Sequence, residues 1–400
     1  MLLALVFALV VFSEAGFKAS LSGLRLFLDV VLPSLLPFFI LSELLLSMGV
    51  VHFLGVLFEP IMRPLFNVPG EGSFVLSMGL AAGYPMDAVI TAKMRREGMC
   101  TRVEGERLLA FTNTADPLFL FGAVAVGMFG MPALGAVLAL AHYAGSFVVG
   151  LAFRFWGRSD QPSSPSAARA REGMWRAAAR ALLEARVKDG RPIGTVLGDA
   201  IRDAISTLFM IMSFIMLFSV ILTVVEATGA MGLLTHVLGA AAHVVGLPAS
   251  LVAPAIKGIF EIDIGSAGAA VAHAPLTARL AMASAIIAWS GLSVHSQVAS
   301  VLSGTDISMR PYFLARALHA VVAFGLTYLG FIILGPVAKA SVPALAGAAG
   351  ETSLPSFFPS LGWALGAAIS VTVVLTATGL LVGVLRRSRL LVALRPFGRR

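Results

Sequence analysis

Polar residues interrupt two apolar stretches in the first half of this 400-residue sequence, and their types suit the binding of a small solute. Residues 74–94 are broken by Gly-Tyr-Pro at 83–85, and residues 107–129 carry TNTADP at 112–117. A proline removes one backbone donor, so the carbonyls before it need other partners. Inside a bilayer, irregular backbone is tolerated only where protein or a water-filled cavity covers it. This pattern is typical of the substrate sites of secondary transporters.

The second half repeats the pattern in the same order. The sequence FEIDIG at 260–265 breaks the apolar residues 247–274, and WSGLSVHSQ at 289–297 interrupts residues 278–302. Each arm of the first hairpin has about nine residues and a length of about 14 Å, which reaches only the middle of a bilayer. We therefore expect two re-entrant helical hairpins, each followed by a broken transmembrane helix.

The interruptions supply candidate substrate-binding residues. Two half-helix ends that meet inside the membrane would offer free N–H groups and a positive dipole end to a carboxylate. The candidates at the hairpins are Gly83, Tyr84, Pro85, Lys257, Glu261 and Ser266. The candidates in the broken spans, which we expect to face one another, are Thr112, Asn113, Thr114, Ser290, Ser293, His295 and Gln297. The alternatives are a kink in an ordinary span and polar contacts between helices.

Carboxylates in the membrane segments are candidates for ion coupling. A buried carboxylate can carry a coupling proton, and oxygens at an unwound helix can hold Na⁺. The candidates are Glu43, Asp87, Asp116 and Asp263. Glu43 could instead form a structural ion pair, and Lys93 could extend to the interface from the base of its hairpin. Lys257 could pair with an acid or with an anionic substrate.

Composition indicates a polytopic membrane protein and argues against an enzyme. Hydrophobic residues make up 58% of the chain, and charged residues make up 12%, where a soluble domain carries about 25% charge. The single Cys100 excludes a disulfide framework, and the sequence contains no HExxH or GxSxG motif. We expect no catalytic residue, metal or cofactor. Packing or interface roles are expected for His52, His142, His236, His243, His273 and His319.

The net charge of +8 reflects topology rather than nucleic-acid binding, since the basic residues lie mostly between apolar segments. The positive-inside rule places the basic linker at 157–202 and the tail RRSRLLVALRPFGRR on the cytoplasmic side. Each repeat crosses the membrane three times if its hairpin is re-entrant. The second repeat is then inverted relative to the first.

Five regions are predicted along the chain. They are an N-terminal span and interfacial helix (1–31), a first repeat (32–156), the linker (157–202), a second repeat (203–335), and a loop with a last span and tail (336–400). The predicted spans outside the interrupted segments are Met1–Phe17, Leu32–Val51, Pro132–Trp156, Asp203–Ala227, Pro311–Gly335 and Leu361–Leu385. The predicted amphipathic segments are Ser20–Val31, His52–Asn67 and Gly229–Val245, and the linker is expected to be partly helical.

Three motifs give the chain a resemblance to a known family. They are GYP at 83–85, EGERLLAFTNTADPLFLFGAVAVG at 104–127, and the stretch from Lys257-Gly258 through AWSGLSVHSQVASVLSGTDI. Over about residues 30–335 the sequence resembles the YlbJ family of sporulation integral membrane proteins, also called SpoVV. It departs from the family pattern at Asp87, where the pattern has Gly, and at 262–264, where it has a Thr-containing tip. Both departures add acid beside an expected anion site.

The resemblance implies two nucleoside-recognition Gate repeats and a distant similarity to concentrative nucleoside transporters. It also implies a location in the outer forespore membrane and the passage of dipicolinic acid toward the developing spore. We therefore expect a transporter that moves a small anionic solute by alternating access, coupled to H⁺ or Na⁺, in the lipid bilayer and as a possible homo-oligomer. The alternatives are a nucleoside-like solute:cation symporter and a non-transporting assembly or signalling protein.

Overall fold

The computed structural model describes residues 2–157, 174–244 and 246–346, and these residues form helices and turns without a β-strand. Four helices are long and apolar enough to cross a membrane: Leu134–Phe153, Ile193–Ala227, Leu276–Leu302 and Met309–Phe331. In hydrocarbon every backbone polar group must be satisfied internally, which favours helices. The prediction of an all-helical polytopic membrane protein is confirmed. The predicted span Leu361–Leu385 lies outside the described residues.

The N-terminal helices divide differently from the prediction. Helix α1 is Leu2–Val11 and α2 is Ser13–Leu26, so the predicted span Met1–Phe17 is interrupted at Phe12, which has non-helical dihedral angles. Ten residues of α-helix measure about 15 Å, half the thickness of the hydrocarbon core. Helix α2 then continues through a π-helical turn at 27–31 into α3 without a break at residue 31.

The predicted second span ends earlier than expected. Helix α3 is Leu32–Ser47 and α4 is Val50–Phe66, and the two are bent by 81° at the turn between them. Gly49 lies in that turn with φ of +79°, a conformation that glycine adopts without steric cost. The predicted boundary at Val51 is therefore wrong by a few residues, and the chain turns at the only glycine in the region 24–54.

The first predicted hairpin is present as two short antiparallel helices. Helix α5 is Gly72–Ala82, and α6 is Met86–Arg96. A Cβ atom at Gly79 would lie 3.4 Å from the Cβ of Asp87. In a continuous helix, residues eight positions apart are separated by about 12 Å, so the chain reverses at Gly-Tyr-Pro.

The first broken span has an irregular segment at 113–117. Helix α7, Arg102–Thr112, begins with a capping box in which Thr101 and Glu104 bond each other's backbone N–H groups. A π-helix follows at Leu118–Met128, and α8 is Leu134–Phe153. The predicted order of hairpin, broken span and plain span is confirmed for this half.

The described part of the linker is largely helical, in agreement with the expectation that the linker is partly helical. Helix α9 is Met174–Asp189, and α10 is Ile193–Ala227. The span predicted at Asp203 therefore begins ten residues earlier, directly after Pro192, whose fixed φ suits the start of a helix. Arg191 holds this start in place because its guanidinium bonds Asp199 at 2.8 Å.

The second half presents the same order of elements. Helix α11 is Ala230–Val244, α12 is Val252–Phe260, α13 is Ile262–Val271, α14 is Leu276–Trp289, α15 is Gly291–Leu302 and α16 is Met309–Ala346. A Cβ atom at Gly265 would lie 2.3 Å from the Cα of Gly258, so α12 and α13 also fold back on each other. The order of helices supports two repeats, and their inverted orientation stays a prediction.

The chain forms two compact units, residues 1–340 and 341–400, and every feature described below lies in the first. A large apolar core in this unit is built from both halves of the chain, including Leu109, Leu138, Leu280 and Val298. The two broken spans run through this core. Their polar residues are consequently buried, and their hydrogen bonds must be made within the protein.

Candidate functional site at the two helix breaks

The end of α7 leaves main-chain carbonyls that no further helical turn can satisfy. Side chains from two distant helices supply the missing donors. The guanidinium of Arg316 on α16 donates to the carbonyl oxygens of Ala110 and, at 2.5 Å, of Asn113. The hydroxyl of Ser146 on α8 donates to the carbonyl of Phe111. The break is thus covered by protein, as irregular backbone in a membrane requires.

The rest of the irregular segment is held by α8 and by a side chain of the segment itself. The hydroxyl of Tyr143 on α8 donates to the carbonyl of Ala115 at 3.0 Å, and Nε2 of His142 accepts from the N–H of Ala115 at 2.9 Å. The Asp116 carboxylate accepts from the N–H of Phe119 at 2.9 Å, at the start of the π-helix. Asp116, a predicted ion-coupling residue, therefore also stabilises a helix terminus.

The Asn113 side chain joins the hairpin, both broken spans and α16. Its Nδ2 donates to Oδ1 of Asp87 at 2.9 Å. Its Oδ1 accepts from the hydroxyl of Ser290 at 3.2 Å and from that of Tyr312 at 2.9 Å. The broken spans thus face each other at Asn113 and Ser290, as the repeat arrangement predicts. All four side chains are buried.

Each hairpin tip lies against the break of its own repeat. A Cβ atom at Gly83 would lie 3.0 Å from Oδ2 of Asp116, and one at Gly291 would lie 3.0 Å from the carbonyl oxygen of Phe260. Both glycines have positive φ, of +73° and +63°. The indole N–H of Trp289 also donates to the carbonyl of Ile259 at 3.1 Å. The tips and breaks of the two halves are therefore assembled in the same way.

Five buried polar atoms on the two hairpins, on α15 and on α16 have no hydrogen-bond partner among the described residues. They are Tyr84 Oη, Glu261 Oε2, Ser266 Oγ, His295 Nε2 and Arg316 Nε. A buried polar group without a partner costs about 1–3 kcal/mol. Unsatisfied buried groups of this kind can be completed by a ligand, an ion or water.

These atoms offer both donors and acceptors. His295 Nδ1 lies 2.7 Å from the carbonyl oxygen of Gly291. A carbonyl can only accept, so Nδ1 carries the proton and the neutral ring presents Nε2 as an acceptor. The Tyr84 hydroxyl is a donor and interacts electrostatically with the carboxylates of Asp116, Glu261 and Asp263. The site therefore combines hydroxyl donors with a cluster of acids.

The remaining polar residues of the broken spans make local hydrogen bonds, and the Thr112 hydroxyl also lies 3.3 Å from the carboxylate of Asp87. The Thr112 hydroxyl donates to the carbonyl of Leu108 at 2.9 Å, and the Thr114 hydroxyl lies 3.4 Å from the carbonyl of Thr112. The Gln297 amide donates to the hydroxyl of Ser293 at 3.4 Å. These four side chains are buried beside the breaks without orphaned atoms, and Pro85 is buried at the tip.

Three charged candidates are engaged in ion pairs. Lys93 pairs with Glu43, and Lys257 pairs with Glu226 at 2.5 Å. A structural ion pair was one of the two interpretations of Glu43, and the structure contains this pair. The pair joins α3 to the first hairpin. Lys257 has an acid as its partner, which was also one of two interpretations for that residue.

Residues of α8 and α16 that form the site were not identified from the sequence. They are His142, Tyr143, Ser146, Tyr312, Arg316 and His319, which hold the first break or its neighbours. His142 and His319 had been assigned to packing, whereas both make hydrogen bonds within this network. The sequence did contain one indication of Arg316. Burying an arginine inside an apolar span costs free energy, and such a residue by default marks a functional site.

Comparisons with known proteins identify relatives of the chain. The chain is 45% identical to the sporulation integral membrane protein YlbJ of Bacillus subtilis (strain 168) over 313 residues, which cover 78% of this chain and 76% of that protein. A family model described as Gate, nucleoside recognition, matches residues 28–147. This match falls on the predicted first repeat.

Solved structures with a similar arrangement belong to a concentrative nucleoside transporter, CNTnw. The structure of CNTnw in an inward-facing substrate-bound state aligns with a TM-score of 0.42 at 17% identity. That of a double variant in an outward-facing state aligns with a TM-score of 0.41 at 15% identity. Both alignments cover 82% of this chain and 84% of the other.

Proposed function

Because this chain belongs to the YlbJ family of sporulation integral membrane proteins, we propose that it is a membrane transporter that moves dipicolinate during sporulation. The observation that carries the proposal is the set of five buried, unpartnered polar atoms at the hairpin tips, in the second break and on α16. A scaffold protein gains nothing from unsatisfied buried groups, whereas a transporter needs groups that only its solute satisfies.

In this proposal the unpartnered groups bind a planar solute with polar groups at opposite ends. The Tyr84 hydroxyl at one tip and the Ser266 hydroxyl on α13 are donors without acceptors. Dipicolinate presents two carboxylates on a pyridine ring, and each can accept from such donors. The two tips would then contact the two carboxylates, and a change in the position of one hairpin would open the site to one side of the membrane.

The acids of the site require a coupling ion in this proposal. Asp116, Glu261 and Asp263 all act on Tyr84, and a dianion cannot enter such a cluster unless protons or Na⁺ neutralise part of it. Symport with H⁺ or Na⁺ removes this repulsion. The proposed locations are the outer forespore membrane for the protein and the cytoplasm for the linker.

The test is uptake of labelled dipicolinate into proteoliposomes, with and without imposed H⁺ and Na⁺ gradients. The informative variant is Tyr84→Phe, because it deletes a hydroxyl that bonds to nothing in the protein. Removing an unsatisfied group should leave stability unchanged or higher, so any loss of uptake reports on the ligand. The matched control is Tyr328→Phe, which deletes a half-exposed hydroxyl on α16.

Saturable uptake by the wild type that falls at least tenfold in Tyr84→Phe, with Tyr328→Phe unchanged, is the expected result. Equal uptake by the wild type and Tyr84→Phe would exclude the tip as the binding site. Absence of dipicolinate uptake by folded wild-type protein would overturn the proposed substrate.

A second candidate function is symport of a nucleoside-like solute with a cation. It is favoured by the match of residues 28–147 to a nucleoside-recognition model. The unpartnered acceptors Glu261 Oε2 and His295 Nε2 also suit the hydroxyl groups of a sugar. Uptake of labelled uridine in the same proteoliposomes, lost in Glu261→Gln and absent for dipicolinate, would favour this function.

A further inference from the structure

Arg316 is a fully buried cation that has no carboxylate partner among its hydrogen bonds. Its two terminal nitrogens donate to the carbonyls of Ala110 and Asn113, and one of them lies 3.1 Å from Nδ1 of His319. Asp87 interacts electrostatically with Arg316, but its carboxylate is bonded by the Asn113 amide at 2.9 Å and not by the guanidinium. Within the described residues, no ion pair is formed by Arg316.

The capping of α7 does not require a charge. Phe111 and Ala115 have carbonyls in the same break, and these are satisfied by the neutral hydroxyls of Ser146 and Tyr143. A glutamine in place of Arg316 could donate to one carbonyl as well. Burying a cation costs several kcal/mol, and Asp87 offsets part of this cost without a direct hydrogen bond. The unused Nε donor of this cation therefore needs a separate explanation.

The charge is located at the substrate site. Arg316 interacts electrostatically with Tyr84 at the first hairpin tip and acts on His295 in the second broken span. Its guanidinium lies 5.7 Å from the centre of the Tyr312 ring, which is itself 5.0 Å from the ring of His295. Its Nε is one of the five buried atoms without a partner. The cation thus borders the groups that we assign to the solute.

We propose that Arg316 is the residue that makes this site prefer an anionic solute. This inference rests on the proposed function and adds a determinant of substrate charge to it. The surrounding acids Asp116, Glu261 and Asp263 would by themselves disfavour a dianion. A fixed guanidinium stays charged whatever the protonation of these acids, and its remaining donor gives the solute a charge-assisted hydrogen bond.

The alternative role is purely structural, in which Arg316 only holds the break. The two roles differ in how they depend on the charge of the ligand. A structural role affects every ligand of the site alike, because the site itself is deformed. A selectivity role affects a dianion more than an uncharged molecule of the same shape.

The experiment measures the binding of three probes of similar shape to the purified full-length protein. They are dipicolinate with two carboxylates, pyridine-2-carboxylate with one, and pyridine-2,6-dicarboxamide with none. The variants are Arg316→Gln and Arg316→Lys. The matched control is Ser146→Ala, which removes a neutral donor to the same break. Dissociation constants are measured by calorimetry in detergent at one pH and one salt concentration.

We expect the wild type to bind the dianion most tightly and the diamide most weakly. Arg316→Gln should weaken dipicolinate binding at least tenfold and change diamide binding less than threefold. Arg316→Lys should keep the preference for anions, and Ser146→Ala should weaken all three probes by a similar factor.

Two results would overturn this inference and leave the proposed function standing. In the first, Arg316→Gln weakens the binding of all three probes by the same factor. In the second, the Arg316→Gln protein still prefers the dianion. If Arg316→Gln does not fold, Arg316→Lys decides, since a lysine variant that binds the dianion and the diamide equally contradicts a role for the charge. If the wild type binds none of the probes, the proposed substrate fails and the inference fails with it.

Discussion

The guanidinium of Arg316 donates to the main-chain carbonyl of Asn113 at 2.5 Å, although the two residues are 203 positions apart in the chain. This bond connects α16, the last described span of the second half, to the unwound segment of the first half. The Tyr312 hydroxyl, one helical turn earlier on α16, donates to the side chain of the same asparagine at 2.9 Å. The break in one half therefore depends on a helix of the other.

The Tyr312→Phe substitution should destabilise the protein by about 1 kcal/mol, because it removes one buried hydrogen bond while keeping the ring. The matched substitution Tyr328→Phe, on the same helix but half exposed, should have no measurable effect. Thermal unfolding in detergent measures both. A Tyr312→Phe protein as stable as the wild type would show that the bond to Asn113 contributes nothing.

The substitutions Ser290→Ala and Tyr312→Phe should be non-additive. Both hydroxyls donate to Oδ1 of Asn113, at 3.2 Å and 2.9 Å. Either single variant leaves this oxygen with one donor, whereas the double variant leaves it buried without any. The double variant should therefore lose about 1 kcal/mol or more beyond the sum of the two single losses. Simple additivity in a double-mutant cycle would show that Asn113 finds another donor.

The positions of the breaks were predictable because their causes are local in sequence. Gly-Tyr-Pro at 83–85 ends α5 and starts α6, and the polar FEID at 260–263 divides α12 from α13. The pairing of Ser290 with Asn113 followed from the repeated order of the elements. The order of apolar and polar residues along the chain is enough to predict each of these features.

The partners of the breaks were not predictable in the same way. Arg316 lies in an apolar helix with no proline, glycine or second charge beside it, and its acceptors are more than 200 residues away. The early start of α10 depends on Arg191, which bonds Asp199 across the first turns of that helix. The first feature depends on contacts between distant residues, which a single sequence does not show. The second depends on a local ion pair, which hydropathy does not reveal.

The substitution Gly83→Ala should abolish transport while changing the amount of folded protein little. Gly83 has φ of +73°, and a Cβ atom there would lie 3.0 Å from Oδ2 of Asp116. The control is Gly98→Ala, which has the same φ of +73° but no neighbour within 4 Å. Both variants place alanine at a positive φ, but Gly83 also has ψ of −168°, a combination that is essentially restricted to glycine. Gly98→Ala therefore controls for the positive φ alone, and the additional loss in Gly83→Ala reports the backbone conformation of the tip together with its contact to Asp116.

Uptake into proteoliposomes and the midpoint of thermal unfolding are measured for both glycine variants. Gly98→Ala should lose stability and keep its rate of uptake per folded molecule. Equal uptake by both variants would indicate that the close approach of Gly83 to Asp116 has no part in function.

The ion pair between Arg95 and Asp306 should make a small, pH-dependent contribution to stability. The two hydrogen bonds, of 2.7 Å and 2.8 Å, connect the end of the first hairpin to the loop before α16. The bond from Arg95 lowers the pKa of the Asp306 carboxyl below its ordinary value. The folded state therefore binds this proton less readily than the unfolded state does, and the contribution is lost as the pH falls through the lowered pKa.

Half of the Asp306 side chain is exposed, at 51%, so the contribution should not exceed about 1 kcal/mol. Unfolding midpoints of the wild type and Asp306→Asn should differ at pH 7 and converge on acidification below the ordinary pKa of an aspartate. High salt should reduce the difference at pH 7. A difference that is independent of pH would assign the effect of the substitution to something other than the charge.

Cys100, the single cysteine of the chain, should not react with maleimides in the folded protein. The orientation of the linker can therefore be tested with one introduced cysteine in an otherwise unaltered chain. Cys100 is 2% exposed, and burial raises the pKa of its thiol to about 12. Reaction requires an accessible thiolate, so the folded wild type should label only after denaturation. Val187, on the outer face of α9, is 79% exposed. A cysteine introduced by Val187→Cys should therefore react readily, and the wild type serves as the background control.

If the linker is cytoplasmic, as its basic residues predict, a membrane-impermeant maleimide should label Val187→Cys in inside-out vesicles and not in intact cells. The opposite pattern would reverse the orientation of the whole chain. The segment at 93–107 provides a second check, because it and the linker should face the same side if the broken span and α8 both cross the membrane. Its Arg96 side chain is exposed, so Arg96→Cys should label from the same side as Val187→Cys. Labelling from opposite sides would mean that only one of these two segments crosses the membrane, and the three crossings proposed for the first repeat would fail.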